Sequence, residues 1–179
     1  MKSLCGRLLV VGLLVGFFGF SVLVSAGSAD FELSRKSAEQ GDVTHQFLLG
    51  SMYEEGREVP QDYKRAMKWY RKAAEQKNIA SQYILGRMYH TGQGVSQDYK
   101  EAEKWLRKVA ELKGYATFDA KFVANAQYIL AMSYEYGHGV IQDYVQAHKW
   151  WNISSASGLT LDKGVEAISK YRINTMTKA

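Results

Sequence analysis

The tripeptide Gln-Asp-Tyr occurs three times in this 179-residue chain, ending at Tyr63, Tyr99 and Tyr144, with spacings of 36 and then 45 residues. The segments around it agree well beyond three residues: "GREVPQDYKRAMKW" from Gly56, "GQGVSQDYKEAEKW" from Gly92 and "GHGVIQDYVQAHKW" from Gly137. A fixed period of this length means stacked supersecondary units, each unable to bury its apolar face alone. The repeat therefore constrains the fold before any single residue does. Three units follow from it, 38–73, 74–109 and 110–158, the third carrying nine extra residues at Gly114 to Phe122.

Each unit reads as two helices. In the first, Gln82, Leu85, Gly86 and Tyr89 share one face, matched by Gln46, Leu49, Gly50, Tyr53 and by Gln127, Leu130, Ala131, Tyr134. The small residue in the middle allows another helix to approach closely. In the second, Tyr99, Ala102, Trp105 and Val109 form an apolar stripe. The three tryptophans Trp69, Trp105 and Trp150 read as core plugs on it, and Lys68, Arg71, Lys72, Lys104 and Arg107 as its solvated side. Between the helices, Gly92 suits a left-handed cap, Asp98 suits the positive end of the next helix, and Val95 suits the gap between them. A phosphate-binding loop is not supported, because position 97 is Gln, no Gly-Lys-Ser/Thr follows and the second glycine is Glu58 in the first unit.

Composition narrows function. The first 29 residues place Lys2 and Arg7 before an apolar run from Leu8 to Val24 and then small residues, the layout of a secretory signal cut after Ala26 or Ala29. The alternative is an uncleaved inner-membrane anchor. Cys5 is the only cysteine, so a cleaved chain carries no disulfide. Without Lys2 and Arg7, the 23 basic residues become 21 against 18 acidic ones, a net charge of +3 that is interleaved rather than clustered. That argues against nucleic acid as a partner.

The combination of Gln82, Leu85-Gly86, Tyr89, Gly92, Gly94, Val95, Asp98, Ala102 and Trp105, repeated in register, resembles the Sel-one-like repeat (SLR) family, relatives of tetratricopeptide repeats. The chain departs from that pattern at Glu58, Ala131, His45, Ser154-Ser155 and the nine-residue insert. The resemblance implies an all-α fold: an α/α solenoid winding as a right-handed superhelix of three helix-turn-helix repeats, with first helices lining a concave groove. Residues 31–40 and 159–179 are expected to be the N- and C-terminal capping helices of a domain spanning 30–179, the latter with Val165 and Ile168 on one side. The usual role of the family is to hold proteins together.

Candidate chemistry can lie only in the repeat's departures and on the free faces of its helices. His45, His90, His138 and His148 fall at different phases of the repeat with no metal-site spacing, and no nucleophile elbow is present, so neither a catalytic residue nor a metal or cofactor is expected. Counted at about 100° per residue, Ala80, Tyr83, Arg87 and His90 lie away from the packing face of their helix. Their equivalents are Thr44, Phe47, Ser51 and Glu54 in the first unit and Asn125, Tyr128, Met132 and Glu135 in the third. An aromatic column Phe47, Tyr83, Tyr128 flanked by Ser51, Glu54, Arg87, His90, Met132 and Glu135 would suit a protein or peptide ligand. The competing reading is that these aromatics only pack between helices. The insert, with Tyr115, Phe118 and Phe122, reads either as a binding loop or as an extra helical turn. Together with the resemblance, these features lead to the expectation of an exported, periplasmic or secreted bacterial scaffold or adaptor. The alternative is a cell-envelope enzyme or a peptidoglycan- or beta-lactam-binding protein, although the cysteine pairs of the family's secreted cysteine-rich members are absent here.

Overall fold

A computed structural model describes residues 30–114 and 117–156; the expected signal segment 1–29 and terminal cap 159–179 lie outside them. Among the described residues there are seven helices and no strand: α1 (residues 30–39), α2 (Val43–Glu55), α3 (Tyr63–Glu75), α4 (Ile79–Thr91), α5 (Tyr99–Ala110), α6 (Ala120–Tyr136) and α7 (Tyr144–Ala156). The pairs α2/α3, α4/α5 and α6/α7 pack within units, α3/α4 and α5/α6 pack between them, and α4 also touches α6. This is an all-α helical-repeat fold.

The Gln-Asp-Tyr tripeptide joins the two helices of each unit. Its glutamine donates to a carbonyl near the end of the first helix: Gln61 to Glu54 (2.8 Å), Gln97 to His90 (2.8 Å) and Gln142 to Glu135 (2.7 Å). Its aspartate caps the second helix, Asp98 accepting from the amides of Lys100 and Glu101 at 3.0 Å and Asp143 from Val145 and Gln146. Asp98 thus sits one position before the helix rather than inside its first turn. The tyrosine begins the second helix, and its carbonyl supports the next unit. A β-carbon on Gly94 would meet the Tyr63 carbonyl oxygen at 2.6 Å, and one on Gly139 would collide with that of Tyr99. Both glycines have φ near +75°, so the close approach and the left-handed backbone each require glycine. Glu58 takes the same conformation at φ 64°, but it is exposed, and the equivalent tyrosine position would fall before the described residues.

Core packing places the largest plug one residue beyond the expected tryptophans. Tyr70, Leu106 and Trp151 are buried to 1% exposure or less; Trp150 is in the core as expected, at 5% exposure, whereas Trp69 and Trp105 are only partly buried, under the ammonium groups of Lys72 and Lys108. A tryptophan has enough apolar ring to form the stripe's edge while its rim stays wet. The small residue on each first helix makes room for the plug: a β-carbon on Gly50 would stand 2.7 Å from the Tyr70 ring, and one on Gly86 2.6 Å from Leu106. Ala131 fills the same place in the third unit and is fully buried.

Between units, a buried glutamine binds the last turn of the preceding second helix. Gln46 donates to the Ala38 carbonyl (3.1 Å), Gln82 to Ala74 (3.0 Å) and Gln127 to Ala110 (3.0 Å). Two arginines expected on the solvated side also act here: Arg71 donates to the Tyr89 hydroxyl and Arg107 to that of Tyr134 (2.6 Å). Long arginine side chains lie along the helix surface and reach the neighbouring unit. At the far end of the stack, Ile141, Tyr144 and Val145 are exposed.

The insert contributes to α6. This helix begins at Ala120, about one turn earlier than the repeat alone would start it, and residues 117–119 before it form a turn, while Tyr115 lies outside the described residues. His45 does not disturb α2; its ring nitrogen lies 2.9 Å from the capping Asp42 carboxylate.

Candidate functional site

The nine residues singled out on the first helices divide into two polar-aromatic groups and a separate third-unit pair. The first group crosses from α2 to α4. Glu54 forms an ion pair with Arg87 and accepts a 2.7 Å hydrogen bond from the Tyr70 hydroxyl on α3. Glu54 and Arg87 are both partly buried, so the pair is less screened than an exposed one. Burial and then the Glu54 carboxylate push the Tyr70 phenol well above the ordinary tyrosine range, keeping it the donor of that bond. Burial also raises the Tyr83 phenol, against the opposing charge of Arg87. Ser51 stays local, donating to Glu55 at 2.8 Å.

The aromatic column is anchored rather than free. Phe47 lies 5.9 Å from Tyr70, Tyr128 stands edge-on to Trp151 at 5.0 Å, and Tyr83 meets Phe122 at 5.6 Å. Phe47 and Tyr128 therefore pack on the second helix of their own unit, and Met132 joins the same core cluster as Tyr128. Ala80 is buried. Only Tyr83 extends across units, and it does so through the insert. Phe122 is followed outward by Phe118, which is 70% exposed, with the Lys121 ammonium 5.1 and 4.9 Å from the two rings. The insert thus adds to this face an aromatic-cation element that the repeat alone would not supply.

The second group forms where the second unit meets the third. His90 approaches Tyr99 at 5.2 Å and His138 at 6.2 Å, while His138 stacks on Tyr99 at 4.5 Å and lies 5.7 Å from Tyr136. Burial, and then the neighbouring His138, hold the His90 imidazole below its ordinary value. Glu135 is partly buried nearby in sequence, at the end of α6, and is engaged in an interaction of its own. No group of three or more His, Cys, Asp or Glu residues suited to a metal ion occurs among the described residues.

Tyr70 and Tyr99 were not among the sequence candidates, His138 was set aside with the other histidines, and Phe122 was named only as part of the insert. Tyr70 hides behind its conspicuous neighbour Trp69, and Phe122 belongs to the one segment with no repeat equivalent. The Tyr99–His138 stack could have been found by placing each unit's turn on the start of the preceding second helix.

Sel1 repeats match residues 46–78, 79–113 and 124–159, together more than half of the chain, and the gap before the third match contains the whole insert. The chain belongs to the Sel1 repeat family. Solved structures agree. It is 32% identical to a Sel1 repeat protein from Oxalobacter formigenes, with 82% of this chain and 98% of that one covered and a TM-score of 0.61. It is also 32% identical to a protective antigen of uropathogenic Escherichia coli displaying an SLR fold, with 82% and 32% covered and a TM-score of 0.64; the chain spans about a third of that relative. The Helicobacter pylori cysteine rich protein B shares the fold at 17% identity and a TM-score of 0.52, over 79% and 96% of the two chains. No curated protein matches the chain. Sel1-repeat proteins generally mediate protein–protein interaction, and the repeat is typically a non-catalytic scaffold fold.

Proposed function

We propose that the protein is an exported scaffold or adaptor that holds a protein or peptide partner along the face carrying Glu54, Arg87, Tyr83 and the insert. One observation carries this reading: Tyr83 and Phe122 join the second unit to the third in a partly buried ring contact, beside which Phe118 stands 70% exposed with Lys121 over it. An exposed aromatic flanked by a cation and backed by fixed rings has the character of an interface anchor, because little conformational freedom is left to lose on binding. The first-helix aromatics behind it act as the rigid wall. The N-terminal layout of Lys2, Arg7, an apolar run and small residues supports export, with the periplasm or the medium as destination and inner-membrane anchoring as the variant in which the signal is retained. No helix among the described residues is long and apolar enough to cross a membrane.

The test pairs two experiments. Cell fractionation followed by N-terminal sequencing of the native protein is expected to return a chain beginning after Ala26 or Ala29 in the exported fraction; a cytoplasmic chain beginning at Met1 would refute export. Affinity capture from the same fraction with wild type and with Phe118→Ser is expected to lose one specific protein in the variant. Equal recovery would refute this face as the partner surface.

A further inference from the structure

A cleft of about 890 Å³ is lined by the C-terminal end of α5 and the residues that follow it to Gly114, by Gln127 of α6 and by Gln146, Lys149, Trp150 and Ile153 of α7. Its volume is in the range of small-ligand sites. Two of its lining residues are each 5% exposed and hold a polar atom with no partner: the side-chain oxygen of Gln127 and the indole N–H of Trp150. The first is an acceptor without a donor, the second a donor without an acceptor. Buried polar atoms in native proteins are nearly always matched, so such a pair lining one cleft calls for an explanation.

The repeat supplies an internal comparison. In the first unit the equivalent amide oxygen, on Gln46, accepts from the side chain of Gln76 at 2.8 Å. Over the equivalent tryptophans, Lys72 and Lys108 stand 4.3 and 4.1 Å from the rings of Trp69 and Trp105. The third unit replaces that lysine with Ile153, an apolar lining residue, and its nearest cation over Trp150 is Lys149 at 5.7 Å. Lys149 and Lys113 line the cleft with no ion pair among the described residues, while the one lining carboxylate, Glu111, is paired with Arg107 at 3.2 Å. The cleft thus combines an unused acceptor, an unused donor, apolar contact and two uncompensated positive charges.

We propose that this cleft binds a small organic anion that has an apolar side group and an amide next to its carboxylate, the chemistry shared by an N-acyl amino acid and the C-terminal residue of a peptide. The ligand's amide N–H donates to the Gln127 oxygen. Its carboxylate accepts from the Trp150 indole and is held by Lys113 and Lys149, and its side group rests on Ile153 and Leu112.

Calorimetric titration of the full chain tests this with four probes: N-acetyl-leucine, its C-terminal amide, and N-acetyl-Ala-Ala-Leu as acid and as amide. Saturable binding of at least one acid is expected, at least about tenfold tighter than its amide, because the charged contacts are lost without the carboxylate. A tighter tripeptide acid identifies a peptide terminus as the source, and a tighter N-acetyl-leucine a free acylated amino acid. Gln127→Met is expected to weaken the acid about tenfold or more. Since Gln127 also holds Ala110, Lys149→Glu at an exposed position serves as the second variant, and it is expected to abolish the preference for acid over amide while helical circular dichroism is unchanged. Absence of saturable binding by every probe at millimolar concentration, or equal affinity for acid and amide in the wild-type chain, would overturn the proposal.

Discussion

Gly94 lies so close to Tyr63, a residue of the preceding repeat, that a β-carbon added to it would stand 2.6 Å from the Tyr63 carbonyl oxygen. The second glycine of the turn is therefore a contact between units as much as a turn residue. Gly94→Ala meets both a backbone clash and a left-handed φ, and is expected to lower stability by about 3 kcal/mol in chemical denaturation. Glu58 occupies the same left-handed conformation at an exposed position, so Glu58→Gly is expected to raise stability by about 0.5–1 kcal/mol. A destabilising Glu58→Gly would show that the glutamate makes a contact the fold depends on.

Gln82 holds the Ala74 carbonyl from a buried position, joining α4 to the end of α3. Replacing it by leucine leaves that carbonyl without its buried donor. A loss of about 1–3 kcal/mol is expected in the same measurement. An unchanged midpoint would mean that water reaches Ala74 and that the glutamine is dispensable.

The Arg87–Glu54 pair and Phe118 should separate stability from capture. Arg87→Met strips a half-buried carboxylate of its cation, and a loss of about 1–2 kcal/mol is expected, with a double-mutant cycle against Glu54→Gln recovering part of it. Phe118→Ser at an exposed position is expected to leave the thermal midpoint within about 1 °C of wild type, since surface substitutions of this kind seldom exceed a few tenths of a kcal/mol. A large shift for Phe118→Ser would place that ring in the core of the folded chain.

Acidification should act through His90. Its folded pKa lies below the ordinary 6.5, so between the two values the unfolded chain holds the additional proton. Stability contributed by this group is therefore full above 6.5 and is lost as the pH falls below it toward the folded value. Thermal midpoints are expected to drop across that window, and His90→Gln to flatten the slope. An equal slope in the variant would assign the effect to other groups.

Much of the fold was legible because the repeat reports the same packing position three times. Gln82, Gly86 and Asp98 occupy sites where backbone geometry admits few alternatives, and such sites leave a periodic mark. Less legible were positions where one side chain serves two environments. Trp105 carries the apolar signal of a plug, yet Leu106 fills the core, because an indole can line an edge under Lys108 at 4.1 Å. Arg71 and Arg107 read as solvated because charge alone does not reveal how far a long side chain reaches. The surface around Tyr83 was visible in part: helical phase marked Tyr83 and Arg87, but their partners Phe122 and Glu54 come from neighbouring units. Contacts of that kind depend on how units are placed relative to one another, which periodicity along one helix does not encode.

Site-specific photocrosslinking tests the scaffold reading most directly. A photoreactive residue at position 118, and a control at the exposed Lys104, are introduced into the chain expressed in its native envelope. One dominant protein adduct is expected from position 118, absent from position 104 and reduced when Tyr83 is replaced by alanine. No adduct from position 118, or the same adducts from both positions, would rule out this face as the partner surface.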